Sequence, residues 1–266
     1  MEAIKLNNGI EIPALGFGTW KIGTKYAEQA VLDALEAGYR HIDTAAIYGN
    51  EKEVGNAIKK SGVPREEIFV TTKLWNGDHD NVEKAFEESL KKLQLEYIDL
   101  YLIHFPVKER NGSWKTLEQL NQGDFCKSIG VSNFTTRHLN ELFKFASTVP
   151  VVDQVEFHPY LYQRELLEFC KSKNIHVEAY SPLTHGERIN DPKLIGIAEK
   201  YGKSSAQLLI RWSLQHGMIV LPKSAHKERI VENIDVFDFD IRKEDMDALD
   251  NFNEDLRTCW DPTNAP

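Results

Sequence analysis

Cysteine is scarce in this sequence. Its 266 residues include only Cys126, Cys170 and Cys259, widely spaced and without a C-x-x-C pair. A disulfide framework is therefore not what holds the fold together, and reduced thiols in a cytosolic setting are expected. No H-E-x-x-H is present either, so no metal is expected. No apolar run approaches the ~18 residues that a membrane-spanning helix needs. The opening MEAIKLNNGIEIP lacks the apolar segment of a secretory signal. The expectation is a soluble, cytoplasmic protein with no membrane partner. Positive charge is also in short supply: 32 Lys and Arg against 41 Asp and Glu leave a formal charge of −9. That balance argues against nucleic acid as a partner, and an anionic small ligand would need a local basic cluster. No internal repeat, low-complexity tract or Pro/Gly/Ser linker divides the chain. One domain over residues 1–266 is expected, because α/β barrels reach this length as a single unit.

What is present is alternation. IKLNNGIEI reads as a hairpin, with Asn8-Gly9 suited to the positive φ angles of a type I′ turn. Eight strand-like runs follow: ALGFG, HIDTA, IFVTTKL, DLYLIHF, SIGVSNF, VVDQVEF, HVEAYS and MIVLPKS. Amphipathic helices separate them. Val31, Ala34, Leu35 and Gly38 fall at helical spacing, with Gly38 as the stop. Val82, Phe86, Leu90 and Leu93 form a second stripe, and Leu139, Leu142, Phe143 and Ala146 a third. Alternating βα units favour a parallel sheet with right-handed crossovers. Eight of them predict a (β/α)8 TIM barrel, α/β in class, preceded by the hairpin. An open doubly wound sheet would offer a G-x-G-x-x-G fingerprint, and LGFG supplies only Gly16 and Gly18.

Barrel chemistry sits at the C-terminal strand ends. Asp43 ends the second strand, with Tyr48 in the loop beyond it; Lys73 ends the third and His104 the fourth. Taken singly, Asp43 reads as a turn cap, Tyr48 as packing and His104 as a satisfied structural group. Lys73 resists such a reading, because a lysine within VTTKLW needs a counter-charge if buried. Asp43 on the neighbouring strand is its natural partner. The second half adds Ser132 and Asn133, Gln154, Tyr180 and Ser181. Lys223 and Ser224 end the eighth strand, ahead of Arg229, Glu232 and Asn233 on an expected helix. Helix N-termini near this strand are frequent phosphate sites.

Together GFGTW, HIDTAAIYGNE, VTTKLW, LYLIHFP, IGVSNF, QVEFHP, AYSPL and LPKS followed by R-x-x-E-N resemble the aldo-keto reductases over nearly the whole chain. The resemblance implies a (β/α)8 TIM barrel with an N-terminal β-hairpin closing the bottom, and a metal-free oxidoreductase that reduces aldehydes or ketones with NADPH, NADH being less favoured. It implies a catalytic tetrad of Asp43, Tyr48, Lys73 and His104. Tyr180 would stack on the nicotinamide, and Ser132, Asn133 and Gln154 would bind its carboxamide. Lys223, Ser224 and Arg229 would hold the 2′-phosphate, with Glu232 and Asn233 at the adenine. Thr19, Trp20, Asp43, Ser181 and Leu183 would complete the cofactor site. Trp20, Tyr48, Trp75, His104 and Phe105 would meet a small carbonyl substrate, with the protein a monomer or weak dimer. Phe105 stands where HWP is frequent. The segments VKERNGSWK and THGERIND, and the tail after RTCWDPT, are short, which leaves cofactor closure and substrate choice open.

The tetrad suits proton delivery. A phenol is a reluctant acid near neutrality, and an adjacent ammonium favours phenolate. An unscreened pair at ~4 Å and an effective dielectric near 20 is worth about 4 kcal/mol. With Asp43 offsetting part of that, a net drop of about one or two units for Tyr48 is expected. His104, neutral, would orient the carbonyl. Two other readings remain at this point: a Schiff-base enzyme through Lys73, and a cofactor-binding protein with a regulatory or structural role.

Overall fold

The computed structural model describes residues 2–123 and 125–266; within the expected domain 1–266, only Met1 and Asp124 lie outside them. The chain begins with an antiparallel hairpin of β1 (Ala3–Lys5) and β2 (Glu11–Pro13). The barrel then runs β3 (Phe17–Gly18), α1 (Thr24–Ala37), β4 (His41–Asp43), α2 (Glu51–Ser61), β5 (Phe69–Leu74), α3 (Val82–Leu93) and β6 (Leu100–Ile103). It continues with α4 (Arg110–Asn121), β7 (Ile129–Ser132), α5 (Thr136–Leu142), β8 (Val152–Glu156), α6 (Arg164–Ser172) and β9 (His176–Tyr180). The last elements are α7 (Pro192–Glu199), α8 (Ser205–Gln215), β10 (Ile219–Leu221), α9 (Lys227–Ile234) and α10 (Lys243–Asp250).

Strands β3 to β10 pair in parallel with their neighbours in chain order. The circuit closes where Leu15 bridges Val220, Gly16 N donates to Val220 O, and Val220 N donates to Ala14 O, both at 2.9 Å. All eight expected strands are present. Along each one the side chains alternate between two environments. In β5, Val70 and Leu74 join the apolar layer under the helices, while Phe69 belongs to a separate cluster at the barrel floor. That floor includes Leu100, Val152 and Ile219, and hairpin residues Leu6 and Ile12 cover it, with Ile4 and Ile10 packed alongside. The barrel interior is thus apolar at the hairpin end. Polar side chains fill the opposite end.

The hairpin turn differs from the expected type I′ form. Gly9 alone has a positive φ, +89°, while Gly9 N donates to Leu6 O and Leu6 N to Ile10 O. Asn7, Asn8 and Gly9 make a three-residue loop whose left-handed position falls on glycine. Asn8 instead accepts from Ile10 N and donates to Ser128 Oγ, tying the turn to the barrel. Helix α1 buries Val31, Ala34 and Leu35 as expected, and stops at Gly38, φ +105°, whose N–H caps Ala34 O and Leu35 O. In α3 the Asn81 side chain accepts from Lys84 N at the start, and Val82, Phe86 and Leu93 are buried. Leu90, expected in that stripe, is only half-buried. The third stripe is shorter as a helix than its period suggested, since α5 ends at Leu142 and Phe143 caps it.

Candidate active site

The polar end of the barrel is built by strand parity. Asp43 is two residues above His41 on β4, Lys73 two above Thr71 on β5, and Tyr180 two above Glu178 on β9. Neighbouring strands in register then bring these interior positions together. Lys73 has no exposed surface. Its Nζ donates to both Asp43 carboxylate oxygens at 2.7 and 2.8 Å, to Thr44 O at 2.8 Å, and lies 3.5 Å from the Tyr48 hydroxyl. A short 3-10 turn over Ala46–Tyr48 carries the phenol back over the ammonium. The His104 ring meets Tyr48 edge-on at 5.7 Å between centroids and Trp75 at 5.5 Å. The four groups converge.

Their electrostatics differ in part from the expected picture. Burial pushes His104 well below the usual histidine range, with Lys73 adding to the shift, so the ring is neutral. The expected drop of the Tyr48 phenol does not occur. Burial drives it well above the ordinary tyrosine range, and Asp43 adds to the rise. The reason is geometric: the ammonium is neutralised by Asp43 and points its protons at Asp43 and Thr44 O. Burial likewise raises Asp43, against the pull of Lys73 and of the hydrogen bond from Gln154.

A cleft of about 910 Å³ opens above this group and touches every predicted site residue except Lys73 and Thr19. Lys73 lies behind Tyr48. Thr19, expected at the cofactor, is fully buried and donates its hydroxyl to Asp43 O at 2.9 Å, so that its side chain braces the strand end. Asn133, held at φ +63°, accepts from the Tyr180 hydroxyl at 2.7 Å and donates to His104 O at 2.9 Å. Ser132 donates to Gln154 O at 2.7 Å. Gln154 Nε2 sits between two carboxyl groups, 2.8 Å from Asp43 Oδ2 and 2.7 Å from Glu178 Oε2. Trp75 and Phe105 form one wall with His104, which stacks on Phe105 at 4.7 Å.

At the far end of the cleft Lys223 and Ser224 precede α9, which presents Arg229, Glu232 and Asn233. Lys227 on this helix is paired with Asp33 and Glu36, whereas among the described residues Lys21, Lys223 and Arg229 have no acidic partner. Burial and the neighbouring Lys21 charge lower Lys223. Three unpaired cations in an acidic protein suit a phosphate.

Several residues in and behind the cleft were not anticipated. Glu178 is one, buried behind Gln154 and not lining the cleft itself: VEAYS places it two positions before Tyr180, and that parity could have marked it as facing inward. Cys259 and Trp260 do line the cleft, with Trp260 edge-on to Phe105 at 5.1 Å. No local signal foretells them, because a distant carboxylate holds the tail in place. Buried Glu156 accepts from Thr258 N at 2.7 Å, Thr258 Oγ1 at 2.5 Å and Cys259 N at 3.1 Å. The short segment after β9 also reaches the opposite rim, where His185 packs on Trp20 at 5.3 Å and Lys21 Nζ lies 4.2 Å from the Trp20 ring.

The family model for the Aldo/keto reductase family matches residues 14–254. A glyoxal reductase from Bacillus subtilis (strain 168) is 49% identical over 265 residues, 98% of this chain and 96% of that protein. A 9,11-endoperoxide prostaglandin H2 reductase from Trypanosoma cruzi (strain CL Brener) is 50% identical over 271 residues, 99% and 95% of the two chains. Among solved structures, an aldo-keto reductase from a Medee basin deep-sea metagenome library superposes with a TM-score of 0.96 at 45% identity, covering 99% of each chain. The Bombyx mori aldo-keto reductase in complex with NADP superposes with a TM-score of 0.94 at 40% identity, covering 100% of this chain and 97% of that one.

Proposed function

Because this chain belongs to the aldo/keto reductase family, whose members are oxidoreductases, we propose that it reduces a small aldehyde or ketone to the alcohol with NADPH, Tyr48 giving the proton. The observation that carries this reading is the Lys73 ammonium held between the Asp43 carboxylate and the Tyr48 hydroxyl, at 2.7 and 3.5 Å. The whole 1–266 unit acts as one domain in this reading.

Bound NADPH supplies the hydride. The chain's residues do the rest. Burial keeps Tyr48 protonated at rest, which is the state a proton donor needs. As the proton leaves, negative charge grows on an oxygen 3.5 Å from the ammonium, so Lys73 acts on the transition state more than on the resting phenol. Neutral His104 has Nδ1 buried without a partner among the described residues, which leaves Nε2 to donate to the carbonyl oxygen and orient it. Trp75 and Phe105 keep water from the reacting atoms. Ser132, Asn133, Gln154 and Tyr180 would receive the nicotinamide end. Lys223, Ser224 and Arg229 would receive the 2′-phosphate, and Lys21 joins that set. The fit of a phosphorylated cofactor is supported by these unpaired cations, and it favours NADPH over NADH.

A Schiff-base enzyme is disfavoured. Nζ of Lys73 spends its protons on Asp43 and Thr44 O and has no access to the cleft, so no free lone pair faces a carbonyl. The test is loss of NADPH absorbance with glyoxal, named for the Bacillus subtilis relative, and with other aldehydes, ketones, keto-sugars and quinones. Tyr48→Phe should bind NADPH as the wild type does and lose nearly all turnover. Full turnover in that variant removes Tyr48 from the acid role; no turnover by the wild type across the panel favours a binding-only protein.

A further inference from the structure

Beneath the tetrad lies a second carboxyl group that the proposed reaction leaves unused. Glu178 is fully buried on the inner face of β9. Its Oε2 accepts from Gln154 Nε2 at 2.7 Å, and the same nitrogen donates to Asp43 Oδ2 at 2.8 Å. Among the described residues its Oε1 has no hydrogen-bond partner; it lies 3.6 Å from His41 Nε2, which is itself 3.0 Å from Thr71 Oγ1. A buried carboxyl with an idle oxygen is costly. The layer just below it is apolar, so an apolar side chain would pack there without that cost.

We propose that Glu178 is a positioning residue for the reduction: through Gln154 it orients the amide that receives the nicotinamide, and it supports turnover only while it carries its own proton. This rests on the NADPH-reductase reading above. With the Gln154 nitrogen engaged by two carboxyl groups, only Oε1 of that amide is left to face the cleft, so Gln154 can accept from a carboxamide N–H and cannot donate to it.

The charge argument follows from what faces Glu178. Asp43 and His41 approach from β4, Lys73 and Thr71 from β5, and Gln154 from β8; on β10 its backbone partner is uncharged Ile219. Lys73 and Asp43 cancel. A protonated Glu178 leaves the buried group neutral, and an ionised one makes it negative. Burial and the Asp43 charge push the Glu178 carboxyl up to about 8. His41, pushed down to about 3 by burial and Lys73, carries no charge to compensate. Ionised Glu178 joins the negative groups that already hold the Tyr48 phenol up, and so disfavours the phenolate left by proton transfer.

The test is single-turnover NADPH oxidation from pH 6 to 9, for wild type and Glu178→Gln. At pH 6 both side chains are neutral and both accept from Gln154, so rates and NADPH affinity should agree within about twofold. At pH 9 the wild-type rate should have fallen about tenfold from its plateau, while the variant stays near its own. A purely structural role predicts the same variant-to-wild-type ratio at every pH, and that result overturns the proposal. Should Glu178→Gln fail to fold, the wild type still decides: a flat profile from pH 6 to 9 refutes the inference, and an ionisation near 8 supports it. Wild type that never oxidises NADPH with any carbonyl sinks the reductase reading and this inference with it. Wild type that turns over beside a parallel Glu178→Gln profile sinks the inference alone.

Discussion

Removing the Lys73 ammonium separates its structural part from its chemical one. In Lys73→Met the Asp43 carboxylate stays buried with only the Gln154 amide beside it. Breaking a buried ion pair by deleting one partner costs about 3–5 kcal/mol, because the remaining charge is uncompensated. Adding Asp43→Asn removes that charge, so the double variant should recover most of the lost stability, to within about 1 kcal/mol of wild type. Activity should not recover. At the 3.5 Å separation between Nζ and the Tyr48 oxygen, a full charge pair is worth about 5 kcal/mol at an effective dielectric near 20. If about half the charge has developed on the phenol in the transition state, the loss is about 2.4 kcal/mol, or roughly 50-fold in rate. Urea unfolding reads the first quantity, and single-turnover NADPH oxidation the second. A double variant with wild-type turnover would refute the role given to Lys73. A stable single variant would refute the ion-pair reading.

Three other perturbations follow from the same geometry. Arg229→Ala should weaken NADPH about tenfold more than NADH in a fluorescence titration; equal losses would refute the 2′-phosphate assignment. Glu156→Gln should loosen Thr258 and Cys259 and raise KM for bulky carbonyls while NADPH affinity holds, since this carboxylate clamps the tail that carries Trp260. An unchanged KM profile would mean that Trp260 does not shape the pocket. Thermal stability should fall on both sides of a weakly acid optimum. His41, lowered from 6.5 to about 3 by burial, gives stability that is present above 6.5 and lost as pH falls toward 3. Glu178, raised from 4.5 to about 8, gives stability that is present below 4.5 and lost as pH rises through 8. Glu178→Gln should flatten the alkaline side of a melting-temperature profile, and a slope as steep as wild type would count against that shift.

The eight strands and their order were legible because a parallel barrel repeats one local pattern eight times, and each repeat announces itself within about 30 residues. The four catalytic candidates were legible for a related reason. Asp43, Lys73 and His104 stand at or just past strand ends, where an ionisable side chain in an apolar run has few structural excuses, and Tyr48 follows in the loop after β4. Which way the Thr19 hydroxyl turns was not legible in GFGTW; the fold uses it to bind Asp43 O. The hairpin turn was misjudged because Asn8-Gly9 suits two turn types, and the register chosen by Leu6 and Ile10 selected between them.

The chain's own order of residues determined the alternation of βα units, the strand parity that points Asp43, Lys73 and Tyr180 inward, and the basic residues ahead of and within α9. Only the tertiary structure decided how charged those groups are and what stands beside them. The acidity of Tyr48, the second carboxyl under Gln154 and the tail held by Glu156 all depend on residues far apart in the chain. Coulomb forces and desolvation act through space, over a few ångströms that folding creates, so no local stretch of sequence carries them.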